Sequence, residues 1–436
     1  SVPAGSPTMV RDARDLPFVA IDPPGSLDLD QAFAAERTGD GFRVHYAIAD
    51  VAALVPPGGP IDLEARARGV TLYSPDLRTS LHPERINEDA GSLLEGQDRN
   101  ALVWTIDLDA AGELVDARLE RALVRNRAQL SYRAAQELID GGTADESLAL
   151  LRTIGLLRIE REKERGAVSL ALPAQEVTST DDGRFVLEYD ESLEIEDWNA
   201  QISLLTGIAA SRIMIEAGVG LLRTLPTPEE ATIGQIRRTA RALGVEWADG
   251  VGYAERVREL RPDTPRTAAL LSQPARGLRG AGYVAFTDHD VPAAREHSAI
   301  ASTYAHVTAP LRRLCDRFSN EIILATCADA TPPTWAVEAL EELPSQMGAA
   351  KQRDRNLERA VVDYVEAVVL RPHIGETFTA VVTDVDDRDR ARVQLREPAV
   401  VTRVAGTGLR LGAEIEVRLD ETDADQRLVR FSVVSD

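Results

Sequence analysis

The chain has 436 residues, of which 44% are hydrophobic and 28% are charged, and its formal net charge is −22. This length predicts two or three domains whose interior could enclose a deep catalytic cavity. No apolar run approaches the roughly 20 residues that span a bilayer, and the first residues lack the basic and apolar regions of a signal peptide. We therefore expect a soluble, cytoplasmic protein and exclude a membrane anchor.

The acidic balance argues against a nucleic-acid partner, because phosphate affinity comes largely from Lys and Arg. The argument is only partial, since a channel can be locally basic inside an acidic protein. Nearly all basic residues are Arg, and Lys occurs only at Lys163 and Lys351. The two cysteines, Cys315 and Cys327, are too few for a disulfide framework and lack the nearby His residues of a zinc site, so we expect core thiols.

The first part of the chain alternates β-rich runs with turns. The runs lie at 18–22, 42–51 and 102–109, and the segments DPPG and VPPGGP between them are turn signals. No repeat or low-complexity tract interrupts this pattern. We expect a mixed sheet.

The rest of the chain is first helical and then β-rich. Apolar residues recur at helical spacing over 147–165, over 198–217 and from residue 311 onward. Residues 375–434 contain about five short alternating strands broken by Gly and Asp, which is typical of a small Greek-key barrel. The sequence therefore predicts an α/β fold in which helices pack around a mixed sheet, followed by an OB-type barrel.

The segment IDPPGSLDLDQAF, residues 21–33, carries a group of acidic residues. Asp22 ends an apolar run, Pro-Pro-Gly turns the chain, and Asp28 and Asp30 follow two positions apart, which points both carboxylates to one side of an extended segment. Three converging carboxylates suit Mg²⁺, which prefers oxygen ligands. The spacing alone favours the other interpretation, that these are solvated charges of an Asp-rich turn.

Four motifs in order resemble those of the ribonuclease II family. The first is IDPPGSLDLDQAF, and it is followed by LYSPDLRTSLHPERINEDAGSLL from residue 72, VRNRAQLSY from residue 124 and YAHVTAPLRRLCDR from residue 304. The C-terminal barrel lies where that family carries an S1-type OB domain. The resemblance implies a leader at 1–16, a catalytic domain at 17–370 and an S1-type OB-fold RNA-binding domain at 371–436.

The resemblance also implies an activity and a metal site. It implies a hydrolase that removes 5′-mononucleotides from the 3′ end of single-stranded RNA, acting as a monomer. Asp22, Asp28 and Asp30 would hold Mg²⁺, or Mn²⁺ in its place, with Asp30 the most important for hydrolysis. Arg312 matches the Arg that contacts the scissile phosphate, and the Thr-Ala-Pro before it offers a helix start whose backbone donors could face an anion. Gln31 departs from the pattern, since the family has a fourth Asp there and an amide oxygen is a weaker ligand.

Further positions match residues that hold RNA. Tyr73 and Tyr132 match aromatic residues that flank the terminal nucleotides, although either could belong to the core. Gln201 aligns with a Glu that helps to select ribose. Arg313 and His306 are the other candidates for RNA contact, and a lone His is more often structural.

Two departures leave an alternative open. The barrel segment from Glu376 contains thirteen acidic residues against nine Arg, with Phe378 and Phe431 as its aromatic residues, so we expect it to guide RNA weakly. The residues ahead of Asp22 are too few for the two cold-shock barrels common in the family, which leaves another N-terminal module or an open channel entrance. Gln31 and Gln201 keep open a catalytically weakened, RNA-binding member of the family.

Overall fold

The structure is a computed structural model that describes residues 10–75, 77–168, 175–179, 185–189, 193–261, 264–271, 280–385, 390–395 and 397–434. The strands of the N-terminal part are β1 Arg11–Asp12, β2 Val19–Ile21, β3 Gln31–Thr38, β4 Gly41–Ala49, β5 Leu72–Tyr73, β6 Arg78–Thr79, β7 Asp98–Leu108, β8 Leu114–Arg125 and β9 Ala128–Leu130. The later strands are β10 Gln175–Ser179, β11 Phe185–Tyr189, β12 Gly220–Thr224, β13 Gly282–Phe286, β14 Glu296–His297, β15 Ser302–Thr303, β16 Thr377–Val385, β17 Arg390–Leu395, β18 Val401–Ala405, β19 Glu414–Asp423 and β20 Leu428–Val433. The helices are α1 Pro60–Arg68, α2 Tyr132–Asp140, α3 Glu146–Glu164, α4 Glu194–Ala217, α5 Glu230–Ala242, α6 Tyr253–Glu259, α7 Pro265–Leu271, α8 Leu314–Cys327, α9 Thr334–Ala339 and α10 Leu343–Leu370.

A seven-stranded mixed sheet in the order β1-β8-β7-β4-β3-β2-β9 organises the N-terminal part. The outer pairs β1–β8 and β2–β9 are parallel, and the pairs between them are antiparallel. Side chains of a strand alternate between the two faces of a sheet. Phe33, Tyr46 and Trp104 accordingly lie in the main core, whereas Ala32 and Ala47 lie in a smaller cluster with Phe18 and Leu29.

Helices α3, α4 and α8 contribute to the main core on one face of this sheet. Gly207 of α4 allows an especially close approach, because a Cβ there would lie 2.1 Å from the ring of Tyr304. The amide of Ala305 also donates to the Gly207 carbonyl over 3.0 Å. The chain from Tyr304 onward is therefore fixed against α4 before it reaches the loop that precedes α8.

The C-terminal strands form a five-stranded antiparallel sheet in the order β18-β17-β16-β19-β20. Its two edge strands lie against each other, which nearly closes a barrel. The core of the barrel includes Val365 and Leu370 of α10, with Val361 and Val369 packed at its side. The last two turns of this long helix thus form part of the barrel wall.

The predicted α/β class with a C-terminal barrel is confirmed, and the predicted strands and helices differ from the observed ones mainly at their ends. One expectation about organisation changes: Arg11–Asp12 pairs with β8, so the segment 1–16 is not wholly a leader, and residues 1–9 lie outside the described residues. Cys315 is buried, Cys327 is partly buried and both are free thiols, as expected. Among the helices of the described residues, none has the length and apolar character required to cross a membrane.

Candidate active site

The acidic segment runs extended into β3. Leu29 is fully buried, its amide donates to Ser92 Oγ over 2.9 Å, and its carbonyl accepts from the Leu93 amide. Because neighbouring side chains of an extended segment point to opposite sides, burial of Leu29 directs Asp28 and Asp30 away from that cluster together. The spacing had predicted this shared direction.

Asp30 connects the acidic segment to the loop ahead of α8. Its side chain is nearly inaccessible, and one carboxylate oxygen accepts the Leu311 amide over 2.7 Å. The other oxygen lies 3.3 Å from Arg312 Nε. Burial raises the pKa of Asp30 to about 7, although the charge of Arg312 and the Leu311 amide act in the opposite direction. A carboxyl group in this state has too little positive charge around it to be fully ionised at neutral pH.

Asp22 and Asp28 complete the acidic group in different surroundings. Asp28 pairs with Arg78 and accepts a hydrogen bond from the Tyr73 hydroxyl over 3.3 Å. The carboxylate of Asp22 has no hydrogen-bond donor among the described residues, and burial raises its pKa to about 7, with the charge of Asp28 adding to the rise. The charge of Arg312 offsets only part of this rise.

Arg312 lies at the centre of this group with its side chain half exposed. Its charge lowers the pKa of the carboxyls of Asp22 and Asp30 and of the phenols of Tyr73 and Tyr132, in each case against the larger effect of burial. Because such influence falls with distance, these four side chains lie in the neighbourhood of the guanidinium. The arrangement brings together an accessible cation, two carboxyls with raised pKa values and two aromatic residues.

Backbone donors near Arg312 do not face an open site. The Ala309 amide donates to Asp316 over 2.8 Å, and the Leu311 amide donates to Asp30. Helix α8 begins at Leu314, after the loop, rather than near residue 311 as predicted. The expected anion site at the helix start is therefore not present; these donors fix the loop instead.

Arg313 and His306 are partly buried behind the loop. Arg313 binds both oxygens of Asp316 at 2.6 and 2.7 Å. The Tyr283 hydroxyl and His306 Nδ1 lie 2.7 Å apart, and burial lowers the pKa of His306 far below its usual value. These bonds inside the protein support a structural role for both residues, and RNA contact by either of them stays a prediction.

The side-chain amides of Gln31 and Gln201 also form hydrogen bonds within the protein. Gln31 donates from Nε2 to the Thr308 carbonyl over 2.7 Å, and its Oε1 accepts from the Tyr46 hydroxyl. Gln201 is buried on α4 and donates to Glu162 of α3. Gln31 therefore connects the sheet to the loop of Arg312, and the amide nitrogens of both residues donate hydrogen bonds within the protein.

The three aspartates fit a hard divalent cation. Among the described residues, one group of three possible metal ligands has its ligand atoms within 4.8 Å of one another: His306, Cys315 and Asp316. The charge of Asp316 in that group is already neutralised by Arg313. The spacing of Asp22, Asp28 and Asp30 is wider, which suits Mg²⁺ because this ion keeps several of its waters. A cation would also add positive charge beside the carboxyls of Asp22 and Asp30, which Arg312 stabilises only in part.

Sequence reasoning missed other side chains of the site. Arg78 joins Asp28 to Glu88, and Asn199 of α4 bonds the hydroxyl of Tyr132. Tyr46 lies 3.0 Å from Ser203 through its hydroxyl oxygen. Only Arg78 had a local signal, because Ser-Pro-Asp between Tyr73 and Arg78 marks the turn that pairs them.

Two family descriptions match this chain. An RNB domain matches residues 10–328, and the C-terminal S1 domain of RNase II-type exonucleases matches residues 376–434. The chain belongs to the RNB family. The loop of Arg312 and the acidic segment both lie within the RNB domain, and the barrel is its S1-type domain.

Relatives of this RNB protein include ribonuclease R of Escherichia coli, which is 25% identical over 97% of the chain. The chain spans 57% of the length of that relative. Its fold is similar to that of Mycoplasma genitalium RNase R in complex with ribose methylated single-stranded RNA, with a TM-score of 0.87, 20% identity and coverage of 98% of this chain and 72% of the other. It is also similar to yeast Ssd1, a pseudonuclease, with a TM-score of 0.71, 17% identity and coverage of 96% and 54%.

Proposed function

We propose that this RNB protein is a magnesium-dependent 3′→5′ exoribonuclease that hydrolyses single-stranded RNA to nucleoside 5′-monophosphates. The observation that carries the proposal is the position of half-exposed Arg312 beside the buried carboxyl of Asp30 and near the partly buried carboxyl of Asp22 and the phenol of Tyr73. A phosphodiester needs a cation at the phosphate and an acidic metal site beside it, and a strand end needs an aromatic surface. A metal phosphoesterase for small molecules would need neither Tyr73 nor the barrel.

Each side chain has a defined task in this proposal. Asp22, Asp28 and Asp30 would hold the magnesium, which when bound activates water and stabilises the leaving oxygen. Arg312 binds the scissile phosphate and stabilises the charge that develops on it. Tyr73 stacks on a terminal base, and its hydroxyl is oriented by Asp28 over 3.3 Å. Tyr132, bonded to Asn199, forms the other wall of the site for the strand end.

A specific observation also supports a second candidate, an RNA-binding member with weakened catalysis. Gln31 stands where the family has an acidic residue, and its amide is committed to Tyr46 and Thr308. The likeness to a yeast pseudonuclease fits this candidate too. We favour the active enzyme, because Asp22, Asp28, Asp30 and Arg312 are all present and grouped.

One assay separates the two candidates. RNA labelled at its 5′ end is incubated with the protein, with and without EDTA, and the products are resolved on a gel and by thin-layer chromatography. The active enzyme shortens the labelled strand stepwise and releases 5′-monophosphates. Its cleavage stops when EDTA is added. RNA binding without cleavage would support the weakened member, whereas internal cuts or 3′-monophosphates would contradict the proposed mechanism.

A further inference from the structure

A group of basic side chains lies outside the site described above, on β12, β14 and α10. Arg223, His297, Lys351 and Arg355 influence one another through their charges. Burial, together with the charges of Arg223 and Arg355, lowers the pKa of Lys351 to about 8. None of the described charges that act on Lys351 or His297 is a carboxylate. In a chain of net charge −22, unneutralised cations that face one another require a specific explanation.

Arg223 is held in this position by burial, a backbone hydrogen bond and a contact with an aromatic ring. It is 9% exposed, its backbone amide donates to the Tyr304 carbonyl over 2.8 Å, and its guanidinium carbon lies 4.7 Å from the ring centre of Tyr283. Its Nη1 is buried and finds no hydrogen-bond acceptor among the described residues. Other buried Arg side chains, such as Arg317 with Asp62, have a carboxylate partner. A buried guanidinium nitrogen without an acceptor is costly, so Arg223 keeps a donor that has no partner among the described residues.

Helix α10 brings this basic group next to the elements that carry the candidate active site. A Cβ on Gly69 would lie 2.5 Å from Ala350, the residue before Lys351. One residue beyond Gly69, the chain forms a bridge with Arg313, and it then enters the strand of Tyr73. On the other side, Tyr283 connects Arg223 to His306 of the segment that leads to Arg312. The chain segments that carry Tyr73 and Arg312 therefore pack close to the elements that carry this group.

We propose that Arg223 and Lys351, with His297 and Arg355 beside them, bind a backbone phosphate of the RNA strand upstream of the scissile phosphate. This inference rests on the proposed function, because it requires an RNA strand in the site. The bidentate fork of Arg suits a phosphate. Asp354 lies near Arg355, so Arg223 and Lys351 supply most of the unneutralised charge. The contact is made to the backbone and does not depend on base sequence.

The test compares two lysine variants of the full chain. Lys351→Gln removes the proposed contact, and Lys163→Gln is the matched control, because Lys163 is 52% exposed on α3 and lies 3.3 Å from Glu160. Anisotropy with EDTA measures binding of labelled RNA of about 4 and about 12 nucleotides at several salt concentrations. We expect Lys351→Gln to weaken binding of the longer strand about tenfold and to reduce the salt slope by about 0.7, the value for one phosphate. The shorter strand should bind as in the wild type.

A second variant and a phosphate competition complete the design. Arg223→Lys keeps the charge but loses the fork, so it should weaken the longer strand while the salt slope is unchanged. Inorganic phosphate should compete no better than chloride at equal ionic strength; stronger competition that Lys351→Gln abolishes would mean a site for free phosphate and would overturn the assignment to RNA.

The outcomes separate this inference from the proposed function. If Lys351→Gln and Lys163→Gln have the same affinity and salt slope, the phosphate contact is refuted while the proposed function stands. If the wild type binds the longer strand and Lys351→Gln loses it, but no RNA is cleaved with magnesium, the contact is supported and the hydrolytic function fails. If the wild type binds no RNA, both are refuted.

Discussion

Replacement of Asp30 by Asn should separate the two tasks of this residue, since the change removes a charge and keeps the shape. The Asn oxygen can still accept the Leu311 amide, which lies 2.7 Å from Asp30 now. Metal-dependent cleavage should fall by about a thousand-fold, the scale seen when one electrostatic stabiliser of a transition state is lost. RNA binding with EDTA should stay within a few-fold, because the stabilised charge appears only during reaction.

The same variant should make the metal-free protein more stable. Burial raises the pKa of Asp30 from 3.8 to about 7 in the fold, so the folded state binds the proton more tightly than the unfolded state. The contribution of Asp30 to the free energy of unfolding is therefore complete below pH 3.8 and is lost as the pH rises to 7. At 1.36 kcal/mol for each pKa unit, the loss is at most about 4 kcal/mol above pH 7. Asp30→Asn escapes this loss.

Calorimetry with EDTA at pH 8 measures this effect. With an unfolding entropy of about 2 cal/mol/K per residue, the full 4 kcal/mol would raise the melting temperature by about 4 °C. Magnesium should stabilise the wild type and have little effect on Asp30→Asn. This account of the site would be refuted if Asp30→Asn cleaved RNA at the wild-type rate. It would also be refuted if Asp30→Asn melted at a lower temperature than the wild type with EDTA at pH 8.

Three further predictions concern neighbouring residues. Tyr73→Ala should weaken binding of the last nucleotides by about 1–3 kcal/mol and change the length of the final oligonucleotide; an unchanged end product with a lower melting temperature would indicate a core role. His82 is buried against the Pro310 carbonyl, and burial lowers its pKa to about 4. The unfolded state therefore binds the extra proton below pH 6.5, and the free energy of unfolding should fall by up to about 3 kcal/mol towards pH 4. Chemical denaturation at several pH values should show that the free energy of unfolding falls less steeply with pH in His82→Gln. An equal pH dependence in the variant and the wild type would exclude His82 as the cause. Gln31→Ala leaves the Tyr46 hydroxyl and the Thr308 carbonyl without this partner, so urea denaturation should show a free energy of unfolding that is lower by about 1–3 kcal/mol. Cleavage should be reduced far less than in Asp30→Asn. A loss of cleavage as large as in Asp30→Asn would instead indicate that Gln31 takes a direct part in metal binding.

The sequence predicted those parts of the site that depend on local geometry. The spacing of Asp28 and Asp30 around buried Leu29 predicts their shared direction from the period of an extended chain. It cannot predict their partners, because Leu311 is 281 residues from Asp30 and Arg78 is 50 residues from Asp28. Those pairings depend on how the sheet, the loop and the β5–β6 hairpin assemble.

Motif position also could not predict where neighbouring side chains point. Arg312 and Arg313 are adjacent, yet one is half exposed beside Asp30 and the other is largely covered and paired with buried Asp316. A signal was present, since Asp316 stands three residues after Arg313 at the start of α8, a spacing that pairs charges. Gln201 offered no such signal, because its partner Glu162 belongs to another helix.

Helix α10 has a consequence for how this chain can be divided. Val365 and Leu370 complete the barrel core, while Arg353 of the same helix donates to the carbonyls of Ala67 and Arg68. A cut at residue 370, which the sequence suggests as the domain boundary, would remove apolar side chains from the barrel and expose them on the remaining part. Because one continuous helix contacts both parts, the barrel is joined to the RNB domain by packed structure as well as by the chain. Any fragment meant to fold as an isolated barrel should begin near Val361, and the melting transitions of the two parts should be coupled in the intact protein.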